Sequence, residues 1–269
     1  MNKILETLGD YGIIPIIKID AAANALPLAE ALCAGGLPVA EITFRTACAK
    51  EAIEKITREM PDMLVGAGTV LTCEQAETAI EAGAKFILSP GINPKVVKYC
   101  IERGITIIPG CSSPTDIETA LELGLDVVKF FPAEAAGGLE MIKAMAAPYG
   151  SVKFIPTGGI NESNILSYLK FDKVLACGGS YMVKDEYIRN GEFDKITALT
   201  KQAVELILGL EIKKIGVNGD DKLLDFFEFS EKPYIEIQTN FPKRAVAYFQ
   251  RMGIKNELNG YSINLMPKK

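Results

Sequence analysis

The chain has 269 residues, of which 48% are hydrophobic, and a formal net charge of −5 at pH 7. Its length suits one large α/β barrel, or a barrel-sized domain with a small extension. The mild negative charge excludes a basic surface for nucleic acid or for an anionic membrane. No run of about 18 apolar residues occurs, and the amphipathic start is unlike a signal peptide. We therefore expect a cytoplasmic protein that binds neither nucleic acid nor membrane.

Histidine is absent, and the six cysteines are scattered without a C-x-x-C pair. This excludes a Ser–His or Cys–His relay and a His-ligated metal. The cysteine spacing indicates reduced, packed thiols, not a disulfide framework or a zinc site. Any acid–base catalysis must therefore use Glu, Asp, Lys, Tyr or Cys, with water as a shuttle.

Short β-branched runs alternate with helical patterns up to about residue 208. The predicted strands are Ile13–Ile19, Val39–Phe44, Leu64–Gly66, Phe86–Leu88, Thr106–Ile108, Asp126–Phe130, Lys153–Ile155 and Lys173–Ala176. The predicted helices are Ala25–Cys33, Ala47–Glu59, Cys73–Ala82, Pro94–Arg103, Pro114–Leu123, Leu139–Ala147, Glu162–Leu169 and Phe193–Leu208. Eight strands alternating with eight helices predict parallel pairing and closure into a (β/α)8 TIM barrel. An open doubly wound sheet is the alternative, but no G-x-G-x-x-G follows the first strand.

Lys129 lies at the end of a run, Leu125–Phe130, that is too apolar for a surface position. A buried ammonium loses hydration, so such a lysine is normally paired or neutral. Burial lowers the pKa of a lysine, and a neutral amine attacks carbonyl carbon to form a Schiff base. The alternative is a lysine that extends from the strand end to water.

Polar or turn-forming residues follow all eight predicted strands, where the βα loops of a barrel build its active site. They are Lys18, Glu41, Arg45, Thr69, Ser89, Pro90, Pro109, Lys129, Thr157, Gly158, Gly159, Gly178, Gly179 and Ser180. Strand alternation directs Glu41 into the barrel together with Thr43. There Glu41 is either the general base and acid, or a structural ion-pair partner of Lys129 or Lys18.

Two glycine-rich segments, Pro156–Asn161 and Ala176–Tyr181, are predicted to be turns after strands seven and eight. These are the loops that frequently build a phosphate site in this fold. Without side chains, backbone N–H groups can approach an anion, and the Ser180 hydroxyl adds a donor. A Gly-Gly pair alone is usually only a turn, but two at these positions favour a phosphorylated substrate.

Six motifs in this order resemble the KHG/KDPG aldolase family over about residues 3–208. They are Glu41–Thr46, Gly66–Val70, Ser89–Gly91, Lys129–Glu134, Pro156–Ile160 and Gly178–Ser180. Members are class I aldolases that act on 2-keto-3-deoxy-6-phosphogluconate and 4-hydroxy-2-oxoglutarate. The resemblance implies the same barrel, no metal or organic cofactor, a 2-keto acid substrate, a homotrimer and a place in Entner–Doudoroff carbohydrate metabolism.

The resemblance also implies roles for individual residues. Lys129 would form the Schiff base and Glu41 would transfer protons. The substrate-binding residues would be Arg45 and Thr69 for the pyruvate carboxylate and Gly158, Gly159, Gly179 and Ser180 for the phosphate. Pro90, Thr157 and Lys18 would also bind the substrate. Lys18 is either a second cation near Lys129 or a structural partner of Glu41.

Three alternatives to cleavage of the gluconate substrate stay open at this point. An aldolase for the galactonate epimer would carry the same motifs. A phosphate-binding isomerase or decarboxylase that forms no imine would use the same glycine segments, but would leave Lys129 unexplained. A non-catalytic sensor would bind pyruvate-like acids and use the C-terminal residues for its function.

The predicted barrel is complete within residues 1–210, so residues 211–269 form an extension beyond it. We expect a turn-rich join at Glu211–Gly219, a helix at Asp220–Phe229, a strand at Lys232–Thr239, a helix at Phe241–Gly253 and a strand at Tyr261–Leu265. So few residues make a marginal independent domain. The prediction is a small α+β extension, docked on the barrel or on a neighbouring subunit, with a structural role.

Overall fold

A computed structural model describes residues 2–217, 233–259 and 262–265. The chain divides into two compact units after Val204. Within the described ranges, no helix has both the length and the apolar character that a membrane span requires.

Strands and helices alternate through the first unit. Its strands are β1 (Ile13–Ile17), β2 (Val39–Thr43), β3 (Leu64–Gly68), β4 (Phe86–Leu88), β5 (Thr106–Ile108), β6 (Val127–Phe130), β7 (Lys153–Pro156) and β8 (Cys177–Gly179). Its helices are α1 (Lys3–Tyr11), α2 (Ala25–Ala34), α3 (Ala49–Glu59), α4 (Cys73–Glu81), α5 (Pro94–Glu102), α6 (Pro114–Glu122), α7 (Gly138–Ala146), α8 (Ile165–Leu169), α9 (Asp185–Arg189) and α10 (Phe193–Leu208), the last of which crosses the unit boundary. The sequence pattern predicts neither α1 nor α9.

The strands close into a parallel barrel. Six of them form one sheet in the order β5-β4-β3-β2-β1-β8, and β6 pairs with β7. Two joints complete the circle: Gly110 bridges Lys129 between the β5 end and β6, and Thr157 bridges Gly178 between the β7 end and β8. The predicted (β/α)8 barrel is confirmed.

Both faces of the strands are buried, as apolar parallel strands require. Every residue of β2, β3 and β6 is buried. Polar caps start the helices that follow three of the βα loops: Thr72 caps α4, Asn93 caps α5, and Ser113 caps α6 in a capping box with Asp116. Such caps stabilise a helix by about 1 kcal/mol each and fix where each loop ends.

The prediction for the eighth strand is wrong by several residues. The structure places β8 at Cys177–Gly179, not at residues 173–176, where only Val174 forms an isolated bridge. Gly178 and Gly179 pair with Ile14 and Pro15 of β1. They are therefore strand residues and not a turn. A Cβ atom on Gly178 would lie 2.4 Å from Thr157 Oγ1, so the strand needs glycine there.

The described residues of the second unit form an antiparallel sheet and, besides the end of α10, one helix. Its strands are β9 (Glu211–Val217), β10 (Pro233–Gln238), β11 (Asn256–Asn259) and β12 (Ser262–Leu265), and its helix is α11 (Pro242–Arg251). The order is β11-β12-β10-β9, and α11 packs on β11 and β12. Ile237 and Ile263 are cross-strand partners and both are buried. Thr239 Oγ1 donates to the Leu208 carbonyl at 2.6 Å and so caps the end of α10.

The predictions for this unit are partly confirmed. β10, α11 and β12 lie within the segments predicted to be a strand, a helix and a strand. The turn-rich join is wrong, because residues 211–217 form β9 along the full length of β10. Strand β11 was not predicted, and the helix predicted at residues 220–229 lies outside the described residues.

Candidate active site

Lys129 is held on both sides by the backbone of the β5 loop. Its N–H donates to the Pro109 carbonyl at 2.9 Å, and its own carbonyl accepts from the Cys111 N–H at 2.8 Å. Its side chain is only 6% exposed, and Nζ lies 3.3 Å from Glu41 Oε1. The alternative of a lysine that extends to water is therefore wrong, because its amine lies beside a buried carboxylate inside the barrel.

Glu41 occupies the middle of β2, between Ile16 of β1 and Gly66 of β3. Its side chain is 1% exposed. Among the described residues, Oε2 is buried without a hydrogen-bond partner, although Oε1 faces Lys129. An unpartnered buried carboxylate oxygen is unfavourable in a structural pair. It is well suited to a water or a substrate hydroxyl, so the geometry favours proton transfer.

The aromatic ring of Phe131 is the second neighbour of the Lys129 amine. Nζ lies 5.5 Å from the ring centroid, a distance at which a cation is attracted to an aromatic face. Phe131 itself is 37% exposed, so its ring is in contact with both the amine and solvent. No role for Phe131 was predicted from the sequence, although it lies within the Lys129–Glu134 motif.

Arg45 lies just beyond β2 and is exposed. Its Nε donates to Thr43 Oγ1 at 3.2 Å, and that hydroxyl donates to the Ile17 carbonyl at 2.8 Å. Thr69, directly after β3, has φ +57°, a value rare for a β-branched residue. The Phe44 N–H donates to the Gly68 carbonyl at 2.8 Å and links the two loops. A planar guanidinium and a hydroxyl in adjacent loops suit a carboxylate.

Pro90 belongs to a loop that packs closely against the end of β5. Ser89 Oγ donates to the Gly91 carbonyl at 2.7 Å and tightens this loop. The Pro90 carbonyl oxygen lies 2.0 Å from where a Cβ on Gly110 would stand. Gly110 is therefore required for space, a role that the sequence analysis does not identify.

The turn of Thr157, Gly158 and Gly159 has all three of its carbonyl groups engaged. Thr157 and Gly158 accept from the Ala133 and Glu134 N–H groups at 2.7 and 3.0 Å. Gly159 accepts from two side-chain amides, that of Asn161 at 3.1 Å and that of Asn164 at 3.0 Å. The two glycines have φ +100° and +84°, which glycine adopts readily. The Thr157 N–H donates to the Phe130 carbonyl at 2.9 Å. The turn can therefore offer the N–H groups of Gly158 and Gly159 to an anion.

Gly179 and Ser180 lie beside this turn. Gly179 ends β8 and is buried, whereas Ser180 is exposed. Thr157 itself is 4% exposed and bridges Gly178. The two predicted phosphate segments are therefore adjacent, one as a turn and the other as a strand end.

Lys18 does not pair with Glu41, so that alternative is wrong. Its Nζ lies 2.9 Å from Asp20 Oδ1 and 3.7 Å from Asp185 Oδ2. The Lys18 side chain is 33% exposed. These two carboxylates compensate its charge at the mouth of the barrel.

A separate cleft of about 590 Å³ lies at the opposite end of the barrel. Its lining includes Leu5, Ile101, Leu121 and Asp126 at the entrances to β5 and β6. Asp126 is its one titratable side chain among the described lining residues. Because it pairs no nucleophile with a base, the chemistry is assigned to the Lys129 end.

Known proteins are similar to this chain in sequence and in fold. A family model for KDPG and KHG aldolase matches residues 4–199. The 2-dehydro-3-deoxy-phosphogluconate aldolase of Treponema pallidum is 50% identical over 207 residues, which are 77% of this chain and 99% of that protein.

Two solved structures are similar at 41% identity. One is KDPG aldolase from Legionella pneumophila with pyruvate captured at low pH as a covalent carbinolamine intermediate, with a TM-score of 0.73 over 75% of this chain and 98% of that one. The other is the Zymomonas mobilis ZM4 enzyme with 3-phosphoglycerate, with a TM-score of 0.70 over 75% of this chain and 95% of that one. Together with the family model, these matches confirm the resemblance drawn from the motifs, and the chain belongs to the KDPG and KHG aldolase family.

Proposed function

We propose that this chain is a class I aldolase that cleaves 2-keto-3-deoxy-6-phosphogluconate to pyruvate and glyceraldehyde 3-phosphate. The observation that carries this proposal is the buried pair of Lys129 and Glu41, with Nζ 3.3 Å from Oε1 and Oε2 unpartnered among the described residues. An amine and a carboxylate at this distance supply a nucleophile and its proton acceptor in a site without histidine.

The two ends of the substrate have different binding groups. Arg45 and Thr69 bind the carboxylate beside the C2 ketone, because guanidinium and hydroxyl donors match its planar oxygens. The N–H groups of Gly158, Gly159 and Gly179, with the Ser180 hydroxyl, bind the terminal phosphate. Pro90 and Thr157 are further substrate-binding residues of this site. Lys18 lies at the mouth, where Asp20 and Asp185 compensate its charge, so it contributes less to binding of an anionic substrate than Arg45 does.

The reaction then follows from the pair. Lys129 transfers a proton to Glu41, attacks C2 and, after loss of water, forms an iminium. Glu41 returns that proton to the departing C2 oxygen as water is lost, and then accepts the C4 hydroxyl proton. The C3–C4 bond breaks, and its electrons flow into the iminium to give an enamine. Glyceraldehyde 3-phosphate leaves, Glu41 returns a proton to C3, and hydrolysis releases pyruvate and the free lysine.

Cleavage of 4-hydroxy-2-oxoglutarate to pyruvate and glyoxylate is a second activity of the same site. The matched family model includes both substrates in its description. Imine formation requires only the 2-keto acid end, which the two substrates share. The phosphate contacts favour the sugar acid because the smaller substrate cannot use them.

A coupled assay of pyruvate release tests these activities directly. Turnover should be measured with 2-keto-3-deoxy-6-phosphogluconate, its galactonate epimer and 4-hydroxy-2-oxoglutarate. We expect the highest kcat/KM for the gluconate substrate. A higher value for the epimer would reassign the substrate, and no pyruvate from any of the three would contradict the proposal.

The remaining predictions concern the whole chain. We infer a homotrimer in the cytoplasm, acting in Entner–Doudoroff carbohydrate metabolism, with the chemistry confined to residues 1–210 and a structural role for residues 211–269. Light scattering of the purified chain tests the trimer. A chain ending at Leu210 should keep kcat within about twofold, because every proposed site residue precedes that point.

A further inference from the structure

Glu134, in the loop after Lys129, contacts the turn of Thr157, Gly158 and Gly159 through both its backbone and its side chain. This turn, the proposed phosphate site, is called the phosphate turn. The Glu134 N–H donates to the Gly158 carbonyl at 3.0 Å. Its side chain covers Gly159: a Cβ there would lie 2.5 Å from Glu134 Cγ and 2.7 Å from Glu134 Cβ. Gly159 thus lies directly under the methylene groups of Glu134.

The carboxylate of Glu134 is fixed by a tyrosine from the next helix. Tyr168 of α8 donates its hydroxyl to Glu134 Oε1. Tyr168 is 1% exposed, and burial and the nearby Glu134 raise the pKa of its hydroxyl, so that it stays a donor. Helix α8 begins at Ile165, and its first flanking residue, Asn164, donates to the Gly159 carbonyl at 3.0 Å. The hydrogen bond of Tyr168 therefore links the Lys129 loop to the turn a second time, through α8.

Glu134 does not bind the phosphate itself, because like charges repel at short range. A carboxylate so near the turn is electrostatically unfavourable for an incoming dianion. Its hydrogen bond to Tyr168 directs one oxygen to the hydroxyl, while its methylene groups pack on Gly159. The contribution of Glu134 is therefore the position that it gives to Gly158 and Gly159.

We propose that Glu134 and Tyr168 are positioning residues that hold the Gly158–Gly159 turn at the distance from Lys129 that a 2-keto acid with a terminal phosphate requires. This rests on the proposed function, and specifically on phosphate binding at that turn. Removing the Tyr168–Glu134 hydrogen bond should weaken phosphate binding and leave imine formation at Lys129 unchanged.

The experiment measures two properties of the full-length protein separately. Calorimetric titration with sn-glycerol 3-phosphate reports phosphate binding without catalysis. Trapping with pyruvate and borohydride reports imine formation without a phosphate. Tyr168→Phe should weaken glycerol 3-phosphate binding about tenfold or more, the usual effect of losing a hydrogen bond to a charged group, and leave the trapping rate unchanged.

Two further variants test whether weaker glycerol 3-phosphate binding in Tyr168→Phe comes from the lost hydrogen bond to Glu134. Glu134→Gln keeps the acceptor and the methylene groups and removes the charge, so it should bind glycerol 3-phosphate at least as tightly as the unaltered protein. Tyr149→Phe is the matched control, since Tyr149 donates to Glu118 at 3.0 Å in an exposed pair far from the barrel mouth. It should change neither property.

The positioning role is contradicted if Tyr168→Phe binds the probe as tightly as the unaltered protein, or if its trapping rate falls in parallel. An unaltered protein that traps pyruvate yet binds no glycerol 3-phosphate would overturn the positioning role and keep the imine chemistry. An unaltered protein that binds the probe and traps nothing would overturn the proposed function, while the binding comparison would still decide the positioning role.

Discussion

Gly68 gives Glu41 the space for its carboxylate. A Cβ atom on Gly68 would lie 2.0 Å from Glu41 Oε1 and 2.6 Å from Glu41 Cγ. Both residues are in adjacent parallel strands, and both are buried. The orientation of the proposed proton-transfer group is therefore set by the absence of a side chain on the neighbouring strand.

Gly68→Ala should reduce kcat about 100-fold or more. The added methyl must displace the carboxylate, and a misplacement of about 1 Å is sufficient for such a loss. Turnover of 2-keto-3-deoxy-6-phosphogluconate measures it. Gly150→Ala is the control, because nothing lies within 4 Å of its Cβ position and it should change nothing. An unchanged kcat in Gly68→Ala would contradict the packing argument.

The Lys129–Glu41 pair should contribute more to activity than to stability. Lys129→Met alone leaves a buried carboxylate uncompensated and should lower the free energy of unfolding by about 3 kcal/mol. Lys129→Met/Glu41→Met replaces both charges with apolar groups and should restore it, or raise it by about 1–4 kcal/mol above the original.

Denaturant titrations followed by circular dichroism measure these differences, and neither variant should turn over substrate. If the double variant is less stable than Lys129→Met, the pair is mainly structural.

Arg45→Lys should raise the KM for the 2-keto acid about tenfold with a smaller change in kcat. Lysine keeps the charge but loses the planar donor pair, and it cannot reproduce the Nε contact to Thr43. Steady-state kinetics separates the two parameters. Arg58→Lys, at an exposed ion pair with Glu59, should match the original protein. A fall in kcat alone would place Arg45 in the chemical step instead of in binding.

The barrel can be predicted from the sequence because eight apolar runs alternate with helical patterns, and each run is short enough to be a buried strand. Lys129 and Glu41 can be predicted as functional residues because a charged side chain in such an apolar run is costly unless it is paired or catalytic. The prediction failed at β8, where strand pairing uses Gly178 and Gly179, residues with no strand propensity. The roles of Gly68 and Gly110 were also not predicted. A glycine that is needed because a neighbouring group occupies its Cβ position looks the same in the sequence as a turn glycine.

The prediction also failed at β9 in the C-terminal unit, because its residues do not locally favour a strand. Residues 211–217 contain three lysine or glutamate side chains and a glycine, which locally favour a loop. Their pairing with β10 makes them a strand, and that partner is distant in sequence. Local composition therefore gave the wrong assignment.

Two buried cysteines should resist alkylation in the folded protein. Burial, with a smaller effect from Cys73, raises the pKa of Cys100 to about 12. Burial, with a smaller effect from Asp116, does the same for Cys111. Both thiols are therefore protonated at pH 8. Iodoacetamide treatment and peptide mass mapping should find both unmodified in the native protein and both modified in guanidinium chloride. Equal rates in the two conditions would contradict their burial.

The same pKa values predict how stability depends on alkaline pH. The folded protein holds these protons above the unfolded thiol value of 9.0, so it binds more protons than the unfolded chain between pH 9.0 and about 12. Stability should then fall as pH rises through that window. Urea midpoints at pH 8 and pH 10 measure the change, and a higher midpoint at pH 10 would contradict the assignment.

The proposed function requires that Lys129 form an imine with a 2-keto acid. The most direct measurement is the intact mass of the protein after incubation with pyruvate and sodium borohydride, with Lys129→Met and Lys143→Met as controls. Lys143 is an exposed lysine paired with Glu140. We predict a single pyruvate-derived adduct in the unaltered protein and in Lys143→Met, and none in folded Lys129→Met. No adduct in the unaltered protein, or an adduct that persists in Lys129→Met, would contradict the account.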